Sequence, residues 1–158
     1  MDETAKKKIL RHFTYGLYAI TVAEGGSYNA FTANWLSQTS FEPPMVMLSV
    51  ENDSHSLPII RRTKVFVVNI LASGQRELAG QLGRSYLRNP QKLEGVNYTL
   101  GAGGCPILED ALGWLECRVT AEVGAGDSTV FIAEIVEAGE LREGVPLTMK
   151  EAGFRHSG

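Results

Sequence analysis

The chain has 158 residues, 44% of them hydrophobic and 21% charged, the size and composition of one compact domain with a single core. A net charge of -3 at pH 7 argues against a broad phosphate-backbone footprint and so against a general nucleic-acid binder; "KKKILRH" and "IIRR" are local basic clusters of the kind most solvated faces carry. No apolar run reaches about 18 residues, and "MDETAKKKILRHF" has no apolar signal core, which predicts no membrane partner, no secretory leader and a cytoplasmic location.

In chain order, "DETAKKKILRHFTYG" places Ile9, Leu10 and Phe13 on one side of a helix that Gly16 would end. Two β-rich runs, 17–23 and 28–33, flank Glu24-Gly25-Gly26-Ser27, and the two glycines supply the positive φ of a tight hairpin. Thr32-Ala33-Asn34-Trp35 and Ser40-Phe41-Glu42-Pro43-Pro44 then precede "MVMLSVE". Pro43 and Pro44 remove two N–H donors and set a rigid corner. "MVMLSVE" and "KVFVVNIL" are nearly continuous apolar runs, as expected for strands buried on both faces of a closed or covered sheet.

Between those strands, Ser54 or Ser56 is placed to cap a short helix "LPIIRR", with Pro58 in the first turn and Arg61 and Arg62 near the negative end. "SGQRELAGQLGRS" forms a second helix through Leu78 and Leu82, with Gly83 just past its end. From about 84 to 113 the chain is rich in Gly, Asn and Pro, which predicts a long surface excursion in which only "VNYTLG" is strand-like. In "GWLECRVTAEVG" the residues Leu115, Cys117, Val119, Ala121 and Val123 alternate with Trp114, Glu116, Arg118, Thr120 and Glu122, giving one apolar face. Gly124-Ala125-Gly126-Asp127 joins it to "STVFIAEIVEAGEL". Pattern alone therefore predicts a mainly β (α+β) domain over 1–158, barrel-like, with about six or more antiparallel strands and two or three short helices.

Pattern does not supply a ligand. There is no GxSxG or HExxH, and the histidines are scattered at 12, 55 and 156. "GAGG" at 101–104 lacks the spacing of a phosphate loop and reads as a turn. Cys105 and Cys117 lack a companion at CxxC spacing, so they read as buried thiols and no metal site is expected.

Four stretches, "YGLYAITV" (15–22), "NAFTANWLSQTSFEPPMVMLSVEND" (29–53), "SHSLPIIRRTKVFVVNIL" (54–71) and "GDSTVFIAEIVEAGEL" from Gly126, give the chain a resemblance to the flavin reductase-like proteins with the FMN-binding split-barrel fold, over nearly its full length. The resemblance implies a homodimer that binds FMN, with FAD possible in some members, and NADH or NADPH as reductant. It implies flavin contacts along Thr32, Ala33, Asn34, Trp35, Ser40, Ser49 and Val50. Small side chains at Thr32 and Ala33 let the backbone approach a ring edge, and Asn34 offers both donor and acceptor. Trp35 either shields the ring or anchors the core.

By the same resemblance Ser54 and Ser56, at a helix N-terminus, receive the FMN phosphate, their alternative role being plain capping. Asn69 lies beside the ribityl-phosphate or else clamps backbone inside the barrel. Arg84 is a candidate phosphate counter-charge or a solvent-facing arginine. One departure stands out: family members often read Gly-Asp-His, a histidine associated with the nicotinamide, where this chain has Gly126-Asp127-Ser128. Flavin chemistry needs no acid or base from the protein, so no catalytic side chain is nominated. The implied activity is an NAD(P)H:flavin oxidoreductase transferring hydride to flavin N5, with an oxygenase or electron-transfer protein as a further partner. The alternatives are an FMN electron carrier reduced by a protein partner and a non-catalytic ligand-binding module.

Overall fold

The computed structural model describes residues 1–156. Its strands are β1 (Tyr18–Glu24), β2 (Ser27–Ala33), β3 (Leu36–Ser40), β4 (Met45–Glu51), β5 (Val65–Ile70), β6 (Tyr98–Leu100), β7 (Pro106–Leu108), β8 (Gly113–Ala125) and β9 (Ser128–Glu140). Its helices are α1 (Glu3–Leu10), α2 (Ser56–Thr63), α3 (Arg76–Gly83) and α4 (Met149–Ala152). Seven strands make one antiparallel sheet in the order β2-β1-β5-β8-β9-β4-β3, and β6 pairs with β7 in a separate ribbon. No helix among the described residues is long and apolar enough to cross a membrane.

That strand order has a geometric consequence. β2 and β3 are the two edges of the sheet, yet only Asn34 and Trp35 separate them in the chain. Three Cα steps reach no more than about 11 Å, so the sheet rolls until its edges nearly meet. The result is a split barrel with Asn34 and Trp35 crossing the split.

The rolled interior holds Ile20, Val22, Val46, Leu48, Val50, Phe66, Val68, Cys117 and Phe131, joined by Leu57 and Ile60 of α2. Each such aliphatic or aromatic side chain contributes roughly 1.5–3 kcal/mol on burial. A second cluster on the outer face packs Ala19 and Ala30 against Ala79 and Leu82 of α3, Leu108, Leu147 and Met149. β1 and β5 are thus covered on both sides, as the apolar run in β5 predicts.

The Gly25-Gly26 hairpin forms as expected, with φ of 60° and 79° and the register Glu24↔Ser27. β4 has the expected bounds but not the expected burial: Val46, Leu48 and Val50 point inward while Met47 is 40% exposed. Among the described residues no buried cluster packs on its outer face, unlike β5, where Val67 meets Cys105 and Ile107.

Other boundaries move. α1 ends at Leu10 and buries nothing, leaving Ile9 and Phe13 more than half exposed. Gly83 closes α3 as its last residue, and Arg84 continues extended. The 84–113 segment is not all surface: Cys105, Pro106, Ile107 and Leu108 are buried over β1 and β5. On β8 the apolar face holds only to Val119, because Ala121 and Val123 belong to an exposed extension beyond a register shift. β3 and the one-turn α4 carry no apolar period that would announce them.

Candidate functional site

Asn34 is the polar residue in the split, 6% exposed. The N–H of Ser49 donates to the carbonyl of Trp35 at 3.0 Å, and Leu36 stands opposite Leu48. The crossing is thereby fastened to the far end of β4, bringing Asn34, Trp35, Ser49, Val50 and Glu51 together. Not every side chain there is free to meet a ligand. Ala33 and Val50 face the core, and the Thr32 hydroxyl donates to the Ala79 carbonyl on α3 at 2.6 Å. These three offer backbone, as their small or apolar side chains suggest, while Asn34, Trp35 and half-buried Ser49 offer side chains.

A residue the motif search passed over completes this cluster. His156 lies with Nδ1 2.9 Å from Asn34 Oδ1 and Nε2 3.0 Å from Glu51 Oε1. Its ring centre is 4.8 Å from that of Trp35, tilted by 43°, and the Asn34 amide nitrogen donates to the His156 carbonyl at 3.4 Å. Glu51 is also the register partner of Ser128, whose buried hydroxyl donates to Asp127 Oδ1 at 3.2 Å. The tail is tethered upstream, where Arg76 donates to the Ala152 carbonyl and lies 5.3 Å over the Phe154 ring.

The turn into α2 divides the two serines. Ser54, half-buried, accepts from the Ser56 N–H at 3.3 Å, so it caps the helix from one residue further out than the N-cap residue His55. Ser56 is fully buried, and its hydroxyl accepts from Asn29 Nδ2 at 2.8 Å. Packing of α2 under β2 turns the Ser56 hydroxyl inward. Asn29 Oδ1 is itself buried with no hydrogen-bond partner among the described residues. His55 stacks on Tyr86 with ring centres 3.6 Å apart and planes within 3°. Lys92, 5% exposed, donates from Nζ to the Ala30 carbonyl at 3.0 Å, and burial holds its pKa below the usual lysine range.

Asn69 sits as a clamp between neighbouring backbone segments. It is fully buried, donates to the Ala19 carbonyl at 3.1 Å and the Thr21 hydroxyl at 3.3 Å, and accepts from the Leu108 N–H at 2.8 Å. As a buried strand polar group must be, the Asn69 side chain is paired within the fold. Ser40 stands opposite Met45 at the other end of β3, four residue steps or about 13 Å from Leu36. Arg84 is exposed and lines a cavity of about 650 Å³ with Arg76, Gln81, Asn89 and Phe154.

The glycine cluster behaves as a turn. The Gly103 N–H donates to buried Glu116 Oε1 at 2.7 Å, so the loop wraps one of the chain's own carboxylates. Burial, reinforced by Glu116, pushes the free Cys105 thiol up to about 11 and the free Cys117 thiol up to about 12. Both are therefore inert thiols at neutral pH.

Residues 10–158 match the family described as flavin reductase like domain. The chain is 35% identical over 143 residues to the high molecular weight rubredoxin of Moorella thermoacetica, an alignment covering 89% of this chain and 62% of that protein. It is 29% identical over 147 residues to HsaB, the reductase subunit of a flavin-dependent monooxygenase of Rhodococcus jostii, with 93% of this chain and 74% of that one covered. Among solved structures, Streptomyces globisporus C-1027 NADH:FAD oxidoreductase SgcE6 in complex with NAD and FAD fragments superimposes with a TM-score of 0.85 at 25% identity, over 98% of this chain and 92% of that one. The chain thus spans less than two thirds of the rubredoxin. With the family match running through every strand of the rolled sheet, this protein belongs to the flavin reductase like domain family.

Proposed function

We propose that the protein binds FMN at the split between β2 and β3 and is a flavin reductase that uses NADH or NADPH. The observation that carries this reading is Asn34: a nearly buried amide at the one place where the sheet edges meet, flanked by an aromatic ring and by small residues. The residues fit such a group. Asn34 presents a donor and an acceptor to a polar ring edge, Trp35 offers an apolar face, and Thr32, Ala33 and Val50 border them with small or apolar side chains. Ser54, with its hydroxyl at the positive end of α2, and Arg84 are the groups proposed for the phosphate. Ser40 would meet the ligand only if it extends along β3.

Bound flavin supplies the redox chemistry, accepting hydride from a reduced nicotinamide at N5. The chain's own residues hold the ring edge and exclude water from one side. No side chain is asked to move a proton, because hydride transfer to a flavin needs no acid or base from the protein.

The likeness to HsaB supports an oxygenase as the consumer of reduced flavin. The exposed Val123, 58%, and Val136, 36%, on the β8–β9 hairpin support a homodimer, tested by the mass in solution. Ser128 favours a second reading, an FMN electron carrier reduced by a protein, because it provides no imidazole for a nicotinamide.

Anaerobic absorbance of the FMN-loaded or FAD-loaded protein after mixing with NADH and, separately, NADPH decides between them. Rapid bleaching of the oxidised-flavin band is expected and names the donor. A band stable to both nucleotides but bleached by dithionite would leave the carrier, and a chain that takes up no flavin would leave a non-catalytic module.

A further inference from the structure

The cavity of about 650 Å³ is walled by Arg76, Gly80 and Gln81 of α3, by Arg84 and Asn89 of the segment after it, and by Phe154 of the tail. That size lies within the roughly 300–1,000 Å³ of small-molecule sites. Two of its amides are held in a fixed sense by backbone. Gln81 donates through Nε2 to the Lys92 and Glu94 carbonyls at 2.7 and 3.2 Å, while Asn89 accepts through Oδ1 from the Gln91 N–H at 3.2 Å. Among the described residues these bonds leave Gln81 Oε1 as a spare acceptor and Asn89 Nδ2 as a spare donor, the pair that a nucleobase edge complements.

Beside the amides stand a π surface and positive charge. The Arg76 guanidinium is fixed 5.3 Å over the Phe154 ring by its bond to the Ala152 carbonyl, and purines stack on both kinds of group. Arg84 adds an exposed guanidinium for a phosphate. Glu77 and Glu94 also line the cavity. No ion pair joins either to Arg76 or Arg84 among the described residues, and a carboxylate accepts from a ribose hydroxyl. Base, sugar and phosphate each find a partner.

We propose that this cavity binds an adenosine 5′-phosphate moiety, the part that a reduced pyridine nucleotide and FAD share. The identity of the ligand rests on the flavin reductase reading above, while the complementarity to a nucleotide rests on the cavity itself. The cavity adjoins the crossing. Phe154 is two Cα steps, at most about 8 Å, from His156, whose ring packs on Trp35 and contacts Asn34, and the Thr32 hydroxyl is bonded to the Ala79 carbonyl of α3. A dinucleotide with one ring at Asn34 can place the other in the cavity. Its phosphates would pass Arg84, whose segment the His55–Tyr86 stack pins to the start of α2.

The test titrates AMP calorimetrically into the full, flavin-free chain and three variants. Gly80→Leu fills the cavity from α3, and Gly80→Ala is its control, because a Cβ there meets only the Phe154 ring at an ordinary 3.6 Å. Asn89→Asp keeps the bond from the Gln91 N–H and replaces the spare donor with an acceptor. AMP should bind the wild type and Gly80→Ala alike, about tenfold or more weaker to Gly80→Leu, and about five- to tenfold weaker to Asn89→Asp. FMN affinity should be the same in every chain. An unchanged far-ultraviolet spectrum shows that a variant is folded; should Gly80→Leu fail it, Asn89→Asp decides. Equal AMP affinity in all chains, or no AMP binding by a wild type that takes up FMN, would overturn the site and leave the flavin reading intact. AMP that displaces FMN would put both at the crossing and overturn it too. The expected AMP pattern without FMN uptake would uphold the nucleotide site and sink the flavin reading. Two further measurements name the source of the adenosine: a Gly80→Leu defect confined to the KM for NADH assigns it to the donor, and one confined to FAD affinity assigns it to the flavin.

Discussion

At the scale of single residues, polarity in the sequence marked positions without saying which way they face. Asn34 and Asn69 are both asparagines at the margins of apolar strands. One reaches the split and the other is spent on three internal hydrogen bonds. The difference lies in neighbours that are 39 to 50 residues away from Asn69 in the chain, which no local window contains. Asn69→Ala removes a buried acceptor from Leu108 and a buried donor from Ala19 and Thr21, leaving groups unpaired. We expect it to destabilise the protein by about 2–4 kcal/mol, read as a lower urea midpoint at unchanged slope; a loss below about 0.5 kcal/mol would mean that water replaces the clamp.

At the scale of elements, local chemistry decided the outcome wherever a turn or a strong period was involved. Gly25 and Gly26 both take positive φ, and a Cβ at either would meet nothing within 4 Å, so the constraint there is purely torsional. Gly26→Val should cost about 1–2 kcal/mol, whereas Gly25→Asn, which tolerates positive φ and stiffens the unfolded chain, should be neutral or stabilising by a few tenths. Thermal denaturation of the pair checks this, and equal losses would show that space rather than torsion governs the turn. β3 escaped notice for a physical reason: Leu-Ser-Gln-Thr-Ser has its three central residues exposed, so it displays no buried face to betray a strand. Its pairing with β4 and the bond from Ser49 to Trp35 hold it in place instead.

At the scale of the whole molecule, the strand order brings residues distant in sequence to one opening. Strand β8 runs beyond its pairing with β5, and residues 120–127 there are all exposed, Val123 at 58%. If a second copy covers it, Val123→Asp should lower the mass in solution from dimer to monomer while leaving the far-ultraviolet spectrum unchanged. A wild-type chain that is already monomeric at micromolar concentration would remove the dimer from the proposed function.

The sequence by itself determined the β-rich class, the two glycine hairpins and the buried β5, because turn torsions and side-chain alternation act over a few residues. Tertiary structure alone decided that β2 and β3 become the facing edges, that Ser56 and Asn69 turn inward, and that His156 reaches Asn34 across 122 positions. Those outcomes depend on which surfaces pack together when the sheet rolls, and hydrogen bonding of a buried polar group is settled by whatever that packing places beside it.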